Sequence, residues 1–151
     1  VNQLSEDASQ EGKYTLLQKL VGEYEYLGAV AQALEEQLRL IESAELEVLT
    51  TISSVKELGD NAISKETLVS LGSGILAPMK LEKYDKLLVL LGQNVYAKLS
   101  PTTVIEYLNN RVNFFRNRST ELVKEYSSTL QRIQLLQPKI NRLAQELQQT
   151  G

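Results

Sequence analysis

Two short segments decide the fold: TLVSLGSGILAPM, residues 67–79, and KLLVLLGQNVYAKL, residues 86–99. Each holds two β-rich runs around a turn. Thr67–Leu71 and Ile75–Met79 flank Gly72-Ser73-Gly74, and Lys86–Leu91 and Val95–Leu99 flank Gly92-Gln93-Asn94. Gly and Asn accept the positive φ that tight turns require, so the pattern predicts two successive β-hairpins. The third run, Leu87-Leu88-Val89-Leu90-Leu91, is apolar without alternation, which suits a strand buried on both faces. The fourth alternates, with Val95, Ala97 and Leu99 on one side and Tyr96 and Lys98 on the other. Pro78 cannot donate to a ladder and pushes the second run toward an edge or a bulge.

Working outward, the flanks are helical. No Gly lies between Gly28 and Gly59, no Pro precedes Pro78, and no Gly lies between Pro101 and Gly151. On the first flank a seam with alternating spacings of three and four runs Leu17, Leu20, Tyr24, Leu27, Ala31, Leu34, Leu38, Ile41, Glu45, Val48, Ile52, Val55. Eleven of its twelve positions are apolar or aromatic. In a chain that is 42% hydrophobic, one frame would do this about once in two thousand trials, so chance is a poor explanation. The second flank repeats the seam at Ile105, Leu108, Val112, Phe115, Ser119, Leu122, Tyr126, Thr129, Ile133, Leu136, Ile140, Leu143, Leu147. Its start is marked by Ser100 as N-cap, Pro101 at the first helical position and a Leu99–Val104 staple. Pro138 falls on the outer f position and should kink the far end without blocking the seam.

The prediction is an α+β chain forming a single subunit. Helix one spans about 9–58 and ends at Gly59-Asp60-Asn61, the hairpin insert spans about 62–99, and helix two about 101–148. The insert reverses the chain, so the helices should pair as an antiparallel coiled coil. Leu17 would then meet Leu143, Leu27 meet Ile133, Ala31 meet Thr129, Leu38 meet Leu122, and Val55 meet Ile105. Glu45 would lie beside Phe115, with Arg116 and Arg118 placed to take its carboxylate.

Hairpins this small are marginal in water. The end of a coiled coil gives them little cover, and open edges invite pairing with other chains. The expectation is an obligate oligomer in which several inserts close a shared sheet or barrel. Leu68, Val69, Leu71, Leu87, Val89, Leu91, Val95 and Ala97 are the candidate assembly residues. The plainer alternative is a patch covered by the chain's own loops.

Charge follows the same division. Residues 1–58 carry 11 acids and 4 bases, and residues 101–151 carry 4 acids and 7 bases. The whole has a net charge of −3. That balance argues against a nucleic-acid binder, which normally shows a broad basic face. Arg111, Arg116 and Arg118 are better explained as partners of the acidic helix. No stretch approaches about 18 consecutive apolar residues, so no membrane span is coded, and the first residues show no basic-then-apolar leader.

The chain has no His and no Cys. That removes thiolate nucleophiles, Cys-type zinc sites, disulfides and every Ser-His or Cys-His arrangement. Gly72-Ser73-Gly74 begins like a phosphate-binding loop but lacks the following helix, and no Walker A sequence exists. Glu35-Glu36 and Glu42, Glu45, Glu47 read as a helical face in solvent. Neither an enzyme nor a cofactor or metal site is expected.

Helix, two hairpins, helix, with a heptad seam on each flank, resembles the α-class subunit of prefoldin, of the archaeal type. The residues that carry the resemblance lie mostly in the insert. They are Leu81-Glu82-Lys83-Tyr84-Asp85-Lys86 before an aliphatic strand, then Gly92-Gln93-Asn94-Val95. Leu68–Gly74 followed by Ile75–Met79 matches the first hairpin, and Ile105-Glu106-Tyr107-Leu108 the start of helix two. The resemblance covers about Leu16 to Leu147. The doubled hairpin separates α-class from β-class subunits, which have one, and the polar Glu45 in the seam is a departure that does not touch the insert.

The resemblance implies a cytoplasmic chaperone that uses no nucleotide. Two α-class and four β-class subunits would form a double β-barrel with protruding coiled coils. Their distal ends would clamp unfolded polypeptide and deliver it to a group II chaperonin. In the proposed register those ends are Tyr14, Leu16, Leu17 and Leu20 with Ile140, Leu143 and Leu147, which are also ordinary seam or near-seam residues. Two other classes of function stay open: a filament-forming structural homologue, and a coiled-coil adaptor for one specific partner.

Overall fold

The computed structural model of the chain describes residues 2–61, 66–80 and 84–149, and the side chains of all of these except 2 and 59–61. Helix α1 covers Asn2–Asn61, and helix α2 covers Pro101–Gln149. Between them lie strands β1 (Glu66–Gly72), β2 (Ile75–Lys80), β3 (Leu87–Gly92) and β4 (Val95–Leu99). The order is helix, two hairpins, helix. The Leu81–Lys83 part of the family-like turn lies outside the described residues.

Turn chemistry builds both hairpins in the same way. In the first, Gly72 pairs with Ile75 and leaves a two-residue loop, Ser73-Gly74, with φ of 50° and 79°. In the second, Gly92 pairs with Val95 around Gln93-Asn94, with φ of 42° and 64°. Positive φ at both loop residues gives the turn twist that matches antiparallel strands. The residue before each turn glycine is extra: the register slips between Ser70 and Gly72, and again between Leu90 and Gly92. These are β-bulges, relieved by glycines at φ 103° and 138°. The bulges thus fall at Leu71 and Leu91. Pro78 sits opposite Leu68 in a regular ladder, tolerated because each strand of a two-stranded sheet is an edge.

The chain packs as two compact units, Glu42–Asn117 and Val1–Ile41 with Arg118–Gly151. In the first, Val48, Ile52 and Val55 of α1 form a buried cluster with Val104, Leu108 and Val112 of α2. Five of the six are seam residues, and Val104 joins them from the first turn of α2. That turn is set by its cap. Ser100 Oγ accepts the Thr103 backbone N–H at 3.3 Å, and the Val104 N–H donates to the Ser100 carbonyl at 2.9 Å. Leu87, Val89 and Leu99 of the second hairpin pack against this cluster.

That packing corrects the expectation for β3. It is not buried on both faces: Leu87 and Val89 face the helices, while Leu88 and Leu90 are 66% and 50% exposed. The helix base covers one face of the second hairpin, more than the little cover expected of a coiled-coil end. An apolar run without alternation conceals this, because nothing in it marks which parity the core takes.

In the second unit the seam continues through buried Ala31 and Leu34 of α1 and Leu122 and Leu136 of α2. Leu122 is fully buried. The polar seam residue Thr129 satisfies its hydroxyl within its own helix, donating to the Glu125 carbonyl at 2.8 Å. Leu122→Ala should therefore lower stability by about 2–5 kcal/mol. Leu135→Ala, on a 66% exposed side chain, should change it by less than about 0.5 kcal/mol. Denaturant titration of both variants checks the difference, and equal effects would refute the assigned seam.

Candidate functional site

Two surfaces carry the candidate residues. The first is the outside of the hairpins. On β1 and β2 only Thr67 and Ala77 are partly buried. Leu68, Leu71, Ile75 and Leu76 are each more than half exposed, and Val69 and Met79 are exposed at 37% and 46%. On the second hairpin the open side chains are Leu88, Leu90, Leu91, Val95 and Tyr96. Clustered exposed apolar side chains of this kind mark interaction surfaces.

The predicted assembly residues therefore divide. Leu68, Val69, Leu71, Leu91 and Val95 stand on open surface. Ala97 is half-buried, and Leu87 and Val89 pack on the chain's own helices. Leu88, Leu90, Ile75, Leu76 and Met79 were not singled out from the sequence. Alternation in β4 was the available signal: Leu88 pairs with Lys98 and Leu90 with Tyr96, on the outward parity of β4.

The second surface is the part of the helix pair where Lys13 of α1 meets Glu146 of α2 at 3.0 Å. Three open grooves lie here. One, of about 450 Å³, is lined by Tyr14 and Leu147 with Gln10, Glu11 and Thr15. A second, of about 300 Å³, brings together Leu16, Leu20 and Leu143 with Lys139, Arg142 and Glu146. The third, of about 320 Å³, joins Ile140 to Val21, Tyr24, Glu25, Gln137 and Asn141. Six of the seven predicted distal residues line a groove, and Leu17 is half-buried in the seam. Val21 and Tyr24 extend the set. Val21 at an e position beside the seam escaped the a/d reading.

Ion pairs hold the helices in register. Arg132 Nε donates to Glu23 at 2.7 Å, and Arg116 Nε to Glu45 at 2.7 Å. Glu45 is the seam carboxylate, and its side chain is 20% exposed. Only one of the two expected arginines takes it. Arg118 bonds Glu121 on its own helix at 3.0 Å. Among the described residues Arg111 has no partner on the acidic helix either, and its guanidinium lies 6.0 Å and 5.8 Å from the ring centroids of Tyr107 and Phe115. Of the three, Arg116 alone is explained by the acidic helix.

The hydrogen bond from Arg39 holds the Glu36 carboxyl below its ordinary pKa, and the same bond raises the arginine. The pair's contribution is present above the unfolded carboxylate value and is lost as pH falls through the lower folded value. It is an exposed i,i+3 pair on one helix and lines none of these grooves. Among the described residues, no group of Asp and Glu is arranged to hold a metal ion, and no helix is long and apolar enough to cross a membrane.

A family model described as "Prefoldin subunit" matches residues 27–150. The chain belongs to the prefoldin family. Its relatives include the prefoldin subunit alpha of Thermofilum pendens, 26% identical over 116 residues, or 77% of this chain and 87% of that protein. Prefoldin subunit alpha 2 of Methanocaldococcus jannaschii is 36% identical over 103 residues, covering 68% of this chain and 63% of the relative. A chain from a cryo-EM structure of filamentous PFD from Methanocaldococcus jannaschii has the same fold. It superposes with a TM-score of 0.67 at 22% identity, covering 76% of this chain and 95% of that one. With its relatives named as alpha subunits and its two hairpins, this prefoldin is of the archaeal α class. Prefoldins are chaperone subunits without enzymatic chemistry and assemble into oligomers.

Exchanging a seam carboxylate and its ion pair for apolar packing is often neutral or stabilising, whereas removing one partner is not. Glu45→Leu should hold or raise the melting temperature. Arg116→Ala should cost about 1–2 kcal/mol, less than for a fully buried pair because the arginine faces solvent. Thermal melts of both variants check this. A lower melting temperature for Glu45→Leu would make the pair a net stabiliser rather than a register device.

Proposed function

We propose that this prefoldin subunit acts in the cytoplasm as part of an ATP-independent holdase. Two copies would join four β-class subunits through the hairpins to close a β-barrel body. The helix-pair ends would capture unfolded polypeptide and pass it to a group II chaperonin. The observation that carries the assembly step is the hairpin pair, whose first member has open apolar side chains on both parities and whose second has one covered and one open face. An isolated subunit leaves that surface in water at a cost of roughly 25 cal/mol per Å². Neighbouring hairpins would remove the cost and satisfy the strand edges together.

Client capture rests on the grooves at the helix ends. Tyr14, Leu16, Leu17, Leu20, Ile140, Leu143 and Leu147 would offer apolar contacts that need no particular client sequence. Each contact is weak. Several such ends around one cavity would supply affinity through effective concentration. Release then follows from the loss of a few contacts and needs no hydrolysis.

A filament is the second reading. The same open strand edges suit pairing between copies of one chain, and the solved fold relative carries "filamentous" in its description. The reading as an adaptor for one partner has no comparable support.

Mass measurement separates the first two. The holdase reading expects a discrete hexamer only when a β-class subunit is added, and long homopolymers of this chain alone would favour the filament. Deleting residues 1–16 and 144–151 from the assembled complex should reduce suppression of aggregation several-fold across unrelated clients. Unchanged suppression would refute capture by the helix ends, and activity confined to one client would favour the adaptor.

A further inference from the structure

The grooved end of the helix pair carries opposite charges on its two flanks. In an antiparallel pair the c and g positions of both helices share one side, and the b and e positions the other. Over residues 7–26 and 135–149 the b/e side holds Asp7, Glu11 and Glu25 and no base. The c/g side holds Lys19, Lys139 and Arg142, together with Glu23 and Glu146. Both of these acids are already engaged, Glu23 by Arg132 at 2.7 Å and Glu146 by Lys13 at 3.0 Å. The three cations have no ion-pair partner among the described residues.

Lys139 and Arg142, together with Glu146, whose carboxylate Lys13 engages, rim the groove whose floor is Leu16, Leu20 and Leu143, and Leu16 is 47% exposed. An apolar floor of about 300 Å³ beside two uncompensated cations is a surface with a defined complement. We propose that this groove selects unfolded segments in which a leucine- or phenylalanine-sized side chain lies next to carboxylates. The apolar side chain fills the floor, and the stems of Lys139 and Arg142 extend its cover. Their charged heads meet the flanking carboxylates, which contributes to choice of segment more than to raw affinity. This inference rests on the client-holding reading and adds a client class to it.

The test uses the full chain assembled with a β-class subunit and two fluorescent peptides with one shared Leu/Phe core. One is flanked by Glu and the other by Gln, and binding is read by anisotropy. At low salt the Glu-flanked peptide should bind about three- to tenfold tighter, the size expected of two exposed pairs. The preference should vanish near 0.5 M salt. It should also vanish in the double variant Lys139→Gln, Arg142→Gln, with the Gln-flanked peptide unaffected. Equal binding of the two peptides, or equal weakening of both in the variant, would overturn the proposal. So would displacement of the Glu-flanked peptide by a single-stranded oligonucleotide as readily as by unlabelled peptide, which would make the groove a general polyanion site. If neither peptide binds, the client-holding reading fails and this inference falls with it.

Discussion

The cluster of Val48, Ile52 and Val55 against Val104, Leu108 and Val112 is the packing on which the second hairpin depends. A two-stranded sheet cannot bury a face by itself. The helix base supplies one apolar surface, and Leu87, Val89 and Leu99 settle on it. Side chains alternate along a strand, so covering Leu87 and Val89 turns Leu88 and Leu90 outward. Among the described residues the first hairpin has no such floor, and its leucines stay exposed. The apolar surface left open thus follows from how much the helices cover.

Two polar residues in the seam are tolerated because each has a partner. Thr129 bonds its own helix, and Glu45 meets the guanidinium of Arg116 across the pair. A carboxylate at a seam position costs stability in any alignment that leaves it unpaired. Glu45 therefore penalises slipped registers in unit Glu42–Asn117, as Glu23 with Arg132 does in the other unit, to a lesser degree because Glu23 flanks the seam rather than standing in it.

Much of this was legible in the sequence. The two turns were, because few residues accept positive φ and both loops concentrate Gly and Asn. The two seams were, because their spacing persists over many turns and all of their members are buried or half-buried. The Ser100-Pro101 start of α2 was equally clear. The parity of β3 was not, since five consecutive aliphatic residues contain no alternation. Nor was the choice between Arg116 and Arg118, which lie two residues apart and so point to different sides of one helix. Six of the seven residues expected at the distal ends line grooves, but which of them share a groove depends on two helices at once.

Local rules acting on neighbouring residues determined the helices, the turns, the pairing of each hairpin and the absence of thiol and imidazole chemistry. They sufficed because backbone preference and heptad spacing are short-range. Tertiary structure decided which face of β3 is spent on the chain's own core, which arginine reaches Glu45, and how leucines from both helices form a groove with cations on one flank only. Each of these depends on residues far apart in sequence meeting across the helix pair, and no local preference encodes that meeting.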